Sequence, residues 1–298
     1  FSINQGLKDM TQILIDNGVD LSCNSIIHIT DIENCTDEWP MISIASQSND
    51  LDLFELVMKN SDVNSKSKLG LLPFFCLMSK SSDQNHSFQN KAARMLIENG
   101  AKLEPNTENS SQGISSSAIT VMFAKDMSKK DRVMREKLIL DIFKKELADP
   151  FYVDIDGCNL IQHAARMGSL KIIKKLLKLG VEPCKKNKNG RTSLHEASLI
   201  KDQDISQKII TELLKYPCDL DVRNEEGFTA TEYAFNLINY DSAIKLIEEG
   251  ARIPKSAVIK QDDQTLPLWV QLVCHLRYQN DVDRLTKLIK KGLNLNSV

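Results

Sequence analysis

Apolar residues between positions 156 and 180 recur with the spacing of two short helices. Gly168 separates the two apolar segments and Gly180 ends the second, as glycine commonly does at helix ends. In both segments the apolar positions return every three to four residues, which is typical of one buried face of a helix. These positions are Leu160, Ile161, Ala164 and Ala165 in the first segment and Ile172, Ile173, Leu176 and Leu177 in the second. The pattern predicts an antiparallel helix pair after a turn at Asp156-Gly157.

The same design recurs twice further along the chain. The turn glycines Gly157, Gly190 and Gly227 are 33 and 37 residues apart, and each is followed by a similar pair of segments. A period of this size indicates a solenoid, because one helix pair cannot shelter its own apolar face whereas stacked pairs share a continuous core.

Residues 191–197 read RTSLHEA, which is within one residue of the TPLH-x-A motif, and the chain here resembles the ankyrin repeat. The resemblance is clear over residues 151–251 and degenerate over 1–150 and 252–298. It implies an all-α fold, an ankyrin-repeat solenoid of stacked antiparallel helix pairs with short hairpin or loop connections, with about seven to eight repeats.

We expect residues 1–298 to form a single elongated domain. Degenerate repeats with loop insertions would fill 1–150, regular repeats 151–251 and a final helix pair 252–298. Three polar stretches, 79–90, 104–117 and 125–136, are predicted to be inserted loops. Neither end of the chain carries a polar cap, so we expect it to be part of a longer protein.

Composition narrows the class of protein. Hydrophobic residues make up 42% and charged residues 26%, which excludes a largely disordered chain. The longest apolar runs reach about ten residues, half of what a membrane-spanning helix needs. The seven cysteines are scattered and none forms a CxxC pair. This usage predicts reduced thiols and a cytoplasmic or nuclear location.

The sequence does not indicate an enzyme. His195-Glu196 begins like the zinc-protease motif HExxH, but Leu199 stands where the second histidine belongs. Thr192 is instead predicted to cap a helix, and the resemblance to ankyrin repeats implies that His195 hydrogen-bonds backbone between repeats. No Cys or His set has zinc-ligand spacing and no phosphate-binding loop is present, so we predict no catalytic residue, cofactor or metal site. A catalytic cysteine with a distant histidine stays open as a third possibility.

Charge is distributed unevenly although the net charge is only −2. Residues 166–191 hold nine basic side chains and one acidic side chain, and residues 202–250 hold eleven acidic and four basic ones. The first segment could bind nucleic acid or acidic lipid, which is the alternative function. The other interpretation is that its lysines form the solvated face of a helix.

The leading hypothesis follows from the resemblance, since ankyrin proteins bind partners along a concave face made of hairpin tips and first helices. We therefore predict a protein–protein interaction module, a scaffold, adaptor or regulatory region of a larger protein, that is monomeric and takes a protein or peptide ligand. Met167 and Phe228 would be its apolar anchors. The predicted partner-binding residues are Asp156, Cys158, Arg166, Met167, Lys186, Lys188, Asn189, Arg191, Arg223, Glu225, Glu226, Phe228 and Asn236.

Overall fold

The structure of the chain is a computed structural model. It describes residues 5–18, 24–28, 36–68, 70–79, 85–103, 118–123, 127–254, 259–261, 264–266, 268–278 and 281–293. Contacts within the chain divide it into two compact units, a first unit of Phe1–Asp149 and a second unit of Pro150–Val298.

The first unit consists mainly of helices. One antiparallel hairpin joins β1 (Asn24–His28) to β2 (Thr36–Pro40), with Ser25 opposite Trp39. The helices are α1 (Gln5–Asp16), α2 (Met41–Ala45), α3 (Leu51–Lys59), α4 (Pro73–Ser79), α5 (His86–Glu98), α6 (Ala118–Val121) and α7 (Lys129–Lys144).

Helix α3 shows how the local sequence builds this unit. The side chain of Asp50 accepts hydrogen bonds from the backbone N–H groups of Asp52 and Leu53, at 2.9 and 3.1 Å, and so caps the helix. Leu53, Phe54, Val57 and Met58 form the buried face. The ring of Phe54 meets that of Phe88 in α5 edge to face, with centroids 6.1 Å apart.

The prediction of an inserted loop over 125–136 is wrong from residue 129 onward, where the chain forms α7. Ser128 caps this helix by accepting a hydrogen bond from the N–H of Asp131 at 3.1 Å. Arg135 is buried and donates to three neutral acceptors: Oδ1 of Asn90, Oε1 of Gln89 and the carbonyl oxygen of Met122. Burial lowers the pKa of this guanidinium to about 10.

Of the other two predicted insertions, one is shorter than predicted and one lies outside the described residues. The segment 79–90 ends sooner than predicted, because α5 begins at His86 after its cap residue Asn85, whose side chain accepts from the N–H of Phe88 at 3.0 Å. Residues 104–117 lie outside the described part of the chain.

The second unit contains three successive helix pairs followed by a hairpin and a fourth pair. The pairs are α8 (Leu160–Met167) with α9 (Leu170–Lys178), α10 (Ser193–Ser198) with α11 (Gln203–Leu213), and α12 (Ala230–Asn236) with α13 (Tyr240–Glu248). The antiparallel strands β3 (Ile259–Gln261) and β4 (Gln264–Leu266) precede α14 (Leu268–Tyr278) and α15 (Val282–Lys290).

The first helices α8, α10 and α12 pack side by side, and the second helices α9, α11 and α13 do the same. All eight apolar residues that predicted the pair α8–α9 are buried. Gly168 ends α8 with a left-handed φ of 79°, a conformation that costs glycine no steric clash. The stacked helix pairs predicted from the period are thus confirmed, whereas the number of repeats stays a prediction.

The fourth pair completes the core at the end of the second unit. Leu272 and Leu276 of α14 and Leu288 of α15 are buried in one apolar cluster with Phe235 and Ile244 of the preceding pair. A final helix pair therefore lies in the predicted segment 252–298, with a short β-hairpin that the helical prediction did not include.

The prediction that all cysteines are reduced is wrong for Cys184 and Cys218, which form a disulfide in the structure. The two residues are 34 positions apart, about one repeat period, and each follows the second helix of its pair. Stacking places such positions next to each other, with Cα atoms 5.6 Å apart, within the range that a disulfide needs.

Candidate partner-binding surface

Three hairpins of the second unit project turns of the same construction before α8, α10 and α12. We call residues 155–157, 188–190 and 225–227 the first, second and third tips. Before each tip a side-chain oxygen accepts a hydrogen bond from the backbone N–H four residues later. The pairs are Asp154 with Cys158 (2.8 Å), Asn187 with Arg191 (2.8 Å) and Asn224 with Phe228 (2.9 Å). This shared bond closes every hairpin in the same way.

Backbone hydrogen bonds join each tip to the next. The N–H of Lys188 donates to the carbonyl of Asp156 at 2.8 Å, and the N–H of Glu225 donates to the carbonyl of Asn189 at 3.0 Å. Gly190 has a φ of 71°, and a Cβ there would lie 3.1 Å from the Cα of Asn224. The three tips are therefore held in register by main-chain contacts, so their side chains form one ordered row.

Most of the predicted partner-binding residues are exposed. Those on or beside this row are Asp156, Lys186, Lys188, Asn189, Arg223, Glu225, Glu226 and Phe228, and Asn236 is exposed at the far end of α12. Arg166 and Arg191 are half-buried. Their role in binding stays a prediction.

Cys158 and Met167 are placed differently, because the structure buries their side chains to 2% and 3% exposure. Met167 lies on the same helix face as Ala164 and Leu160, three and seven positions earlier, so it points into the core. It packs the repeat and offers no surface to a partner, which corrects its expected role as an anchor.

Both half-buried arginines are held by one carboxylate that the sequence did not single out. Glu196 is 1% exposed, and its carboxylate accepts from Nε and Nη2 of Arg166 at 3.0 and 3.1 Å. Nε of Arg191 lies 3.3 Å from Oε1 of the same carboxylate. The hydrogen bonds to Glu196 raise the pKa of Arg166. Two of the nine basic charges in 166–191 are thus compensated inside the protein.

An aromatic cluster lies beside the third tip, and its centre is Tyr233 in α12. The ring centroid of Phe228 is 5.6 Å from that of Tyr233, and Cζ of Arg191 lies 5.3 Å from the Tyr233 centroid. The Tyr233 hydroxyl donates to Oε2 of Glu226 at 2.6 Å. Phe228 keeps 38% of its surface exposed. Sequence reasoning found Phe228 and Arg191 but missed Tyr233, which follows Phe228 by five residues in the same repeat and meets Arg191 of the preceding repeat only through stacking.

His195 has the structural role that the sequence predicted. Its Nδ1 accepts from the backbone N–H of Thr192 at 3.1 Å, which leaves the proton on Nε2 to donate to the carbonyl of Phe228 at 3.1 Å. Burial lowers the pKa of His195. The imidazole therefore ties α10 to the third hairpin as a neutral group.

A cleft of about 400 Å³ lies beside the third tip and is strongly charged. Arg223 and Glu232 face each other across part of it at 2.9 Å, and Arg252 lies 3.3 Å from Asp221. Arg223, predicted as a partner-binding residue, is thus paired within the cleft.

Three side chains that can ligate a metal meet at the base of the first tip. The ligand atoms of Asp154, Cys158 and His163 all lie within 4.8 Å of one another. Nε2 of His163 is 2.8 Å from Oδ2 of Asp154. Burial raises the pKa of the Cys158 thiol, which is the reverse of what a nucleophilic cysteine needs.

Comparison with known proteins agrees with this architecture. A family model described as ankyrin repeats (3 copies) matches residues 133–224 and 161–257. An ankyrin repeat domain from Acinetobacter baumannii AYE has a similar structure, with a TM-score of 0.50 and 20% sequence identity over 71% of this chain and 98% of that chain. No curated protein matches the chain significantly. None of the described helices is both long and apolar enough to cross a membrane.

Ankyrin repeats generally serve as protein–protein interaction modules. The turn glycines, the stacked helix pairs, the hydrogen-bonded tips and most of the family match coincide in the second unit. Ankyrin repeats are thus detected over residues 133–257 of this chain.

Proposed function

We propose that the chain binds a protein partner through its three hairpin tips and acts as a scaffold, adaptor or regulatory region rather than as an enzyme. The observation that carries this proposal is the exposed Phe228 beside Tyr233 and Arg191. Tyrosine, arginine and large aromatic side chains commonly dominate the binding energy of protein interfaces.

The charges on the tips indicate what the partner looks like. Lys188 lies at the second tip with Lys186 just before it, and Glu225 and Glu226 lie at the third tip, all with exposed side chains. Because the main-chain hydrogen bonds hold these tips side by side, the row changes from basic to acidic over one repeat. A complementary partner would present an apolar side chain to Phe228, with acidic residues on one flank and basic residues on the other.

Electrostatic binding of nucleic acid or acidic lipid is the second candidate, and the structure favours it less. Glu196 compensates Arg166 and Arg191, and Nζ of Lys174 lies 3.6 Å from Oε2 of Glu212. Three of the nine basic side chains in 166–191 thus face carboxylates. The lysines of α9 lie on a second helix, outside the tips and the aromatic cluster.

The location in the cell is a separate matter. A reducing cytoplasm or nucleus stays a prediction, and the Cys184–Cys218 disulfide argues against it, because disulfides are rare in those compartments.

Affinity capture from an extract of the source cells tests the proposed function. The full chain, Phe228→Ala and Tyr216→Ala would serve as parallel baits. Tyr216 is a matched control, since it is 36% exposed but follows α11 and lies outside the tips. We expect a protein retained by the wild type and by Tyr216→Ala to be lost with Phe228→Ala, with at least about tenfold weaker binding when the purified partner is titrated.

The salt dependence of binding separates the two candidates. A protein docked on Phe228 keeps most of its affinity as salt rises, whereas phosphate binding would weaken steeply with a log–log slope of several units. Retention of the same partners by Phe228→Ala, together with a steep slope, would replace the proposal with the electrostatic one.

A further inference from the structure

We propose that Asp154, Cys158 and His163 form a binding site for a divalent cation of borderline softness, with zinc as its natural occupant. Carboxylate oxygen, thiolate sulfur and imidazole nitrogen are all ligands of zinc in proteins. Three protein ligands would leave a fourth coordination position for water or for a group of another molecule. This proposal is independent of partner binding at the tips.

The distances are close to those that a metal requires. Ligand atoms around a tetrahedral zinc ion lie about 3.4 Å apart, because each is about 2.0–2.3 Å from the metal. Here the three ligand atoms are within 4.8 Å of one another, and the closest pair, Nε2 of His163 and Oδ2 of Asp154, is at 2.8 Å. Side-chain shifts of about one ångström bring all three to bonding distance.

Neighbouring groups already orient the carboxylate and the sulfur. Oδ1 of Asp154 accepts from the backbone N–H groups of Asp156 and Cys158 at 3.0 and 2.8 Å, and Oδ2 of the same carboxylate faces His163. Nδ2 of Asn187 donates to Sγ of Cys158 at 3.2 Å. Hydrogen bonds of this kind commonly fix the ligands of metal sites and stabilise a bound thiolate.

Binding of the cation releases one proton and leaves a complex with no net charge. The Cys158 thiol loses its proton to solvent as sulfur bonds to the cation, His163 coordinates as neutral imidazole and Asp154 as carboxylate. The complex of one dication with two anionic ligands is neutral, so it adds no net charge to a partly buried position.

Sequence analysis predicted no metal site because these residues lack the paired spacing of common zinc motifs. They stand in the order Asp-x3-Cys-x4-His. The hairpin turn folds Cys158 back toward Asp154, and the first turn of α8 brings His163 over both. The three side chains come together only in the folded hairpin, so their proximity could not be predicted from their spacing in the sequence.

The test uses the metal-free full chain, kept without reductant under argon so that Cys184 and Cys218 stay paired. Titration with Co²⁺ is expected to give one equivalent of binding and a sulfur-to-cobalt charge-transfer band, which Zn²⁺ then abolishes by displacement. Zn²⁺ is also expected to raise the unfolding temperature of the wild type.

Three variants decide whether the band belongs to this site. Cys158→Ser is expected to remove it, and Cys274→Ser, at an exposed cysteine elsewhere, to keep it. Asp154→Asn is expected to preserve the fold, because Asn187 and Asn224 accept the same hydrogen bond at the other two hairpins. We expect it to fold and to bind Zn²⁺ at least about tenfold more weakly. A wild type without the band, or a band unchanged in Cys158→Ser and Asp154→Asn, would overturn the proposal.

Discussion

Glu196 in α10 accepts two hydrogen bonds from Arg166, which lies in the last turn of the first helix of the preceding repeat. Its carboxylate is buried beneath the surface that carries the tips, and Arg191 approaches it from the second hairpin. One buried anion therefore joins two repeats and also compensates two of the charges that made residues 166–191 look like a nucleic-acid or lipid site.

Replacing Glu196 tests this junction. Glu196→Gln keeps the size of the side chain but removes its charge, so we expect the free energy of unfolding to fall by about 2 kcal/mol, the usual size of hydrogen bonds to charged groups. Urea denaturation followed by circular dichroism measures it. The exposed Glu225→Gln is the control and should change stability by less than about 0.5 kcal/mol. Equal effects of the two substitutions would show that the junction adds nothing.

The main-chain contacts between tips predict different tolerance at two glycines. Gly180 and Gly190 both have left-handed φ angles, 89° and 71°, so alanine at either costs about 1–2 kcal/mol. A Cβ at Gly180 meets no atom within 4 Å, whereas one at Gly190 lies 3.1 Å from the Cα of Asn224.

Gly190→Ala should therefore destabilise the chain by at least about 1 kcal/mol more than Gly180→Ala. Thermal and urea unfolding of the two variants supply the comparison. Similar losses would mean that the second and third hairpins do not approach as closely as described.

The neutral state of His195 predicts how stability depends on pH. Burial places the folded-state pKa of His195 below its ordinary value of about 6.5, so the unfolded chain binds the proton more readily. Its contribution to stability is complete above about pH 6.5 and is lost progressively as the pH falls. The pKa of Asp154 is also lowered, so this carboxylate loses its contribution only in more acidic solution, below its ordinary value of 3.8.

Urea denaturation of the wild type and of His195→Gln at pH 7.5 and 5.5 checks the effect. The wild type should lose stability between these values, and His195→Gln, less stable at pH 7.5, should lose less. Parallel losses in both proteins would assign the pH dependence to other groups.

The disulfide predicts a response to reductant. Cys184 and Cys218 close a loop of 34 residues, and such a crosslink typically stabilises a protein by about 2–4 kcal/mol. Reductant should lower the free energy of unfolding of the wild type by that amount, and the double variant Cys184→Ser, Cys218→Ser should have the lower value with or without reductant. Peptide mapping without reduction should recover the two cysteines in one linked peptide; free thiols at both would contradict the assignment.

Much of the fold follows from local sequence signals, while the site depends on stacking. Helix pairs 160–178 and 193–213 could be predicted because apolar period, polar caps and turn glycines agree there. Helix α7 could not, since its lysines and Arg135 resemble surface residues, and the burial of Arg135 requires acceptors from two other segments.

The errors at the site have the same origin. Tyr233 and Glu196 are ordinary helix residues in sequence, and only the preceding repeat gives Tyr233 its contact with Arg191 and Glu196 its contact with Arg166. Met167 could have been recognised as buried from its spacing to Leu160 and Ala164. The Cys184–Cys218 disulfide could be predicted only by aligning the repeats, which shows that both cysteines occupy the same position after the second helix.

Site-specific photocrosslinking in the source cells tests most directly whether the tips are the binding surface. A photoreactive phenylalanine analogue would replace Lys188 on the second tip or Phe228 beside the third. The matched controls would carry it at Lys178, which ends α9, or at Tyr216, which follows α11. The account predicts that the same partner protein is crosslinked from positions 228 and 188 and not from positions 216 and 178. Crosslinking of that protein from positions 216 and 178 alone, or of nucleic acid or lipid from position 178, would contradict it.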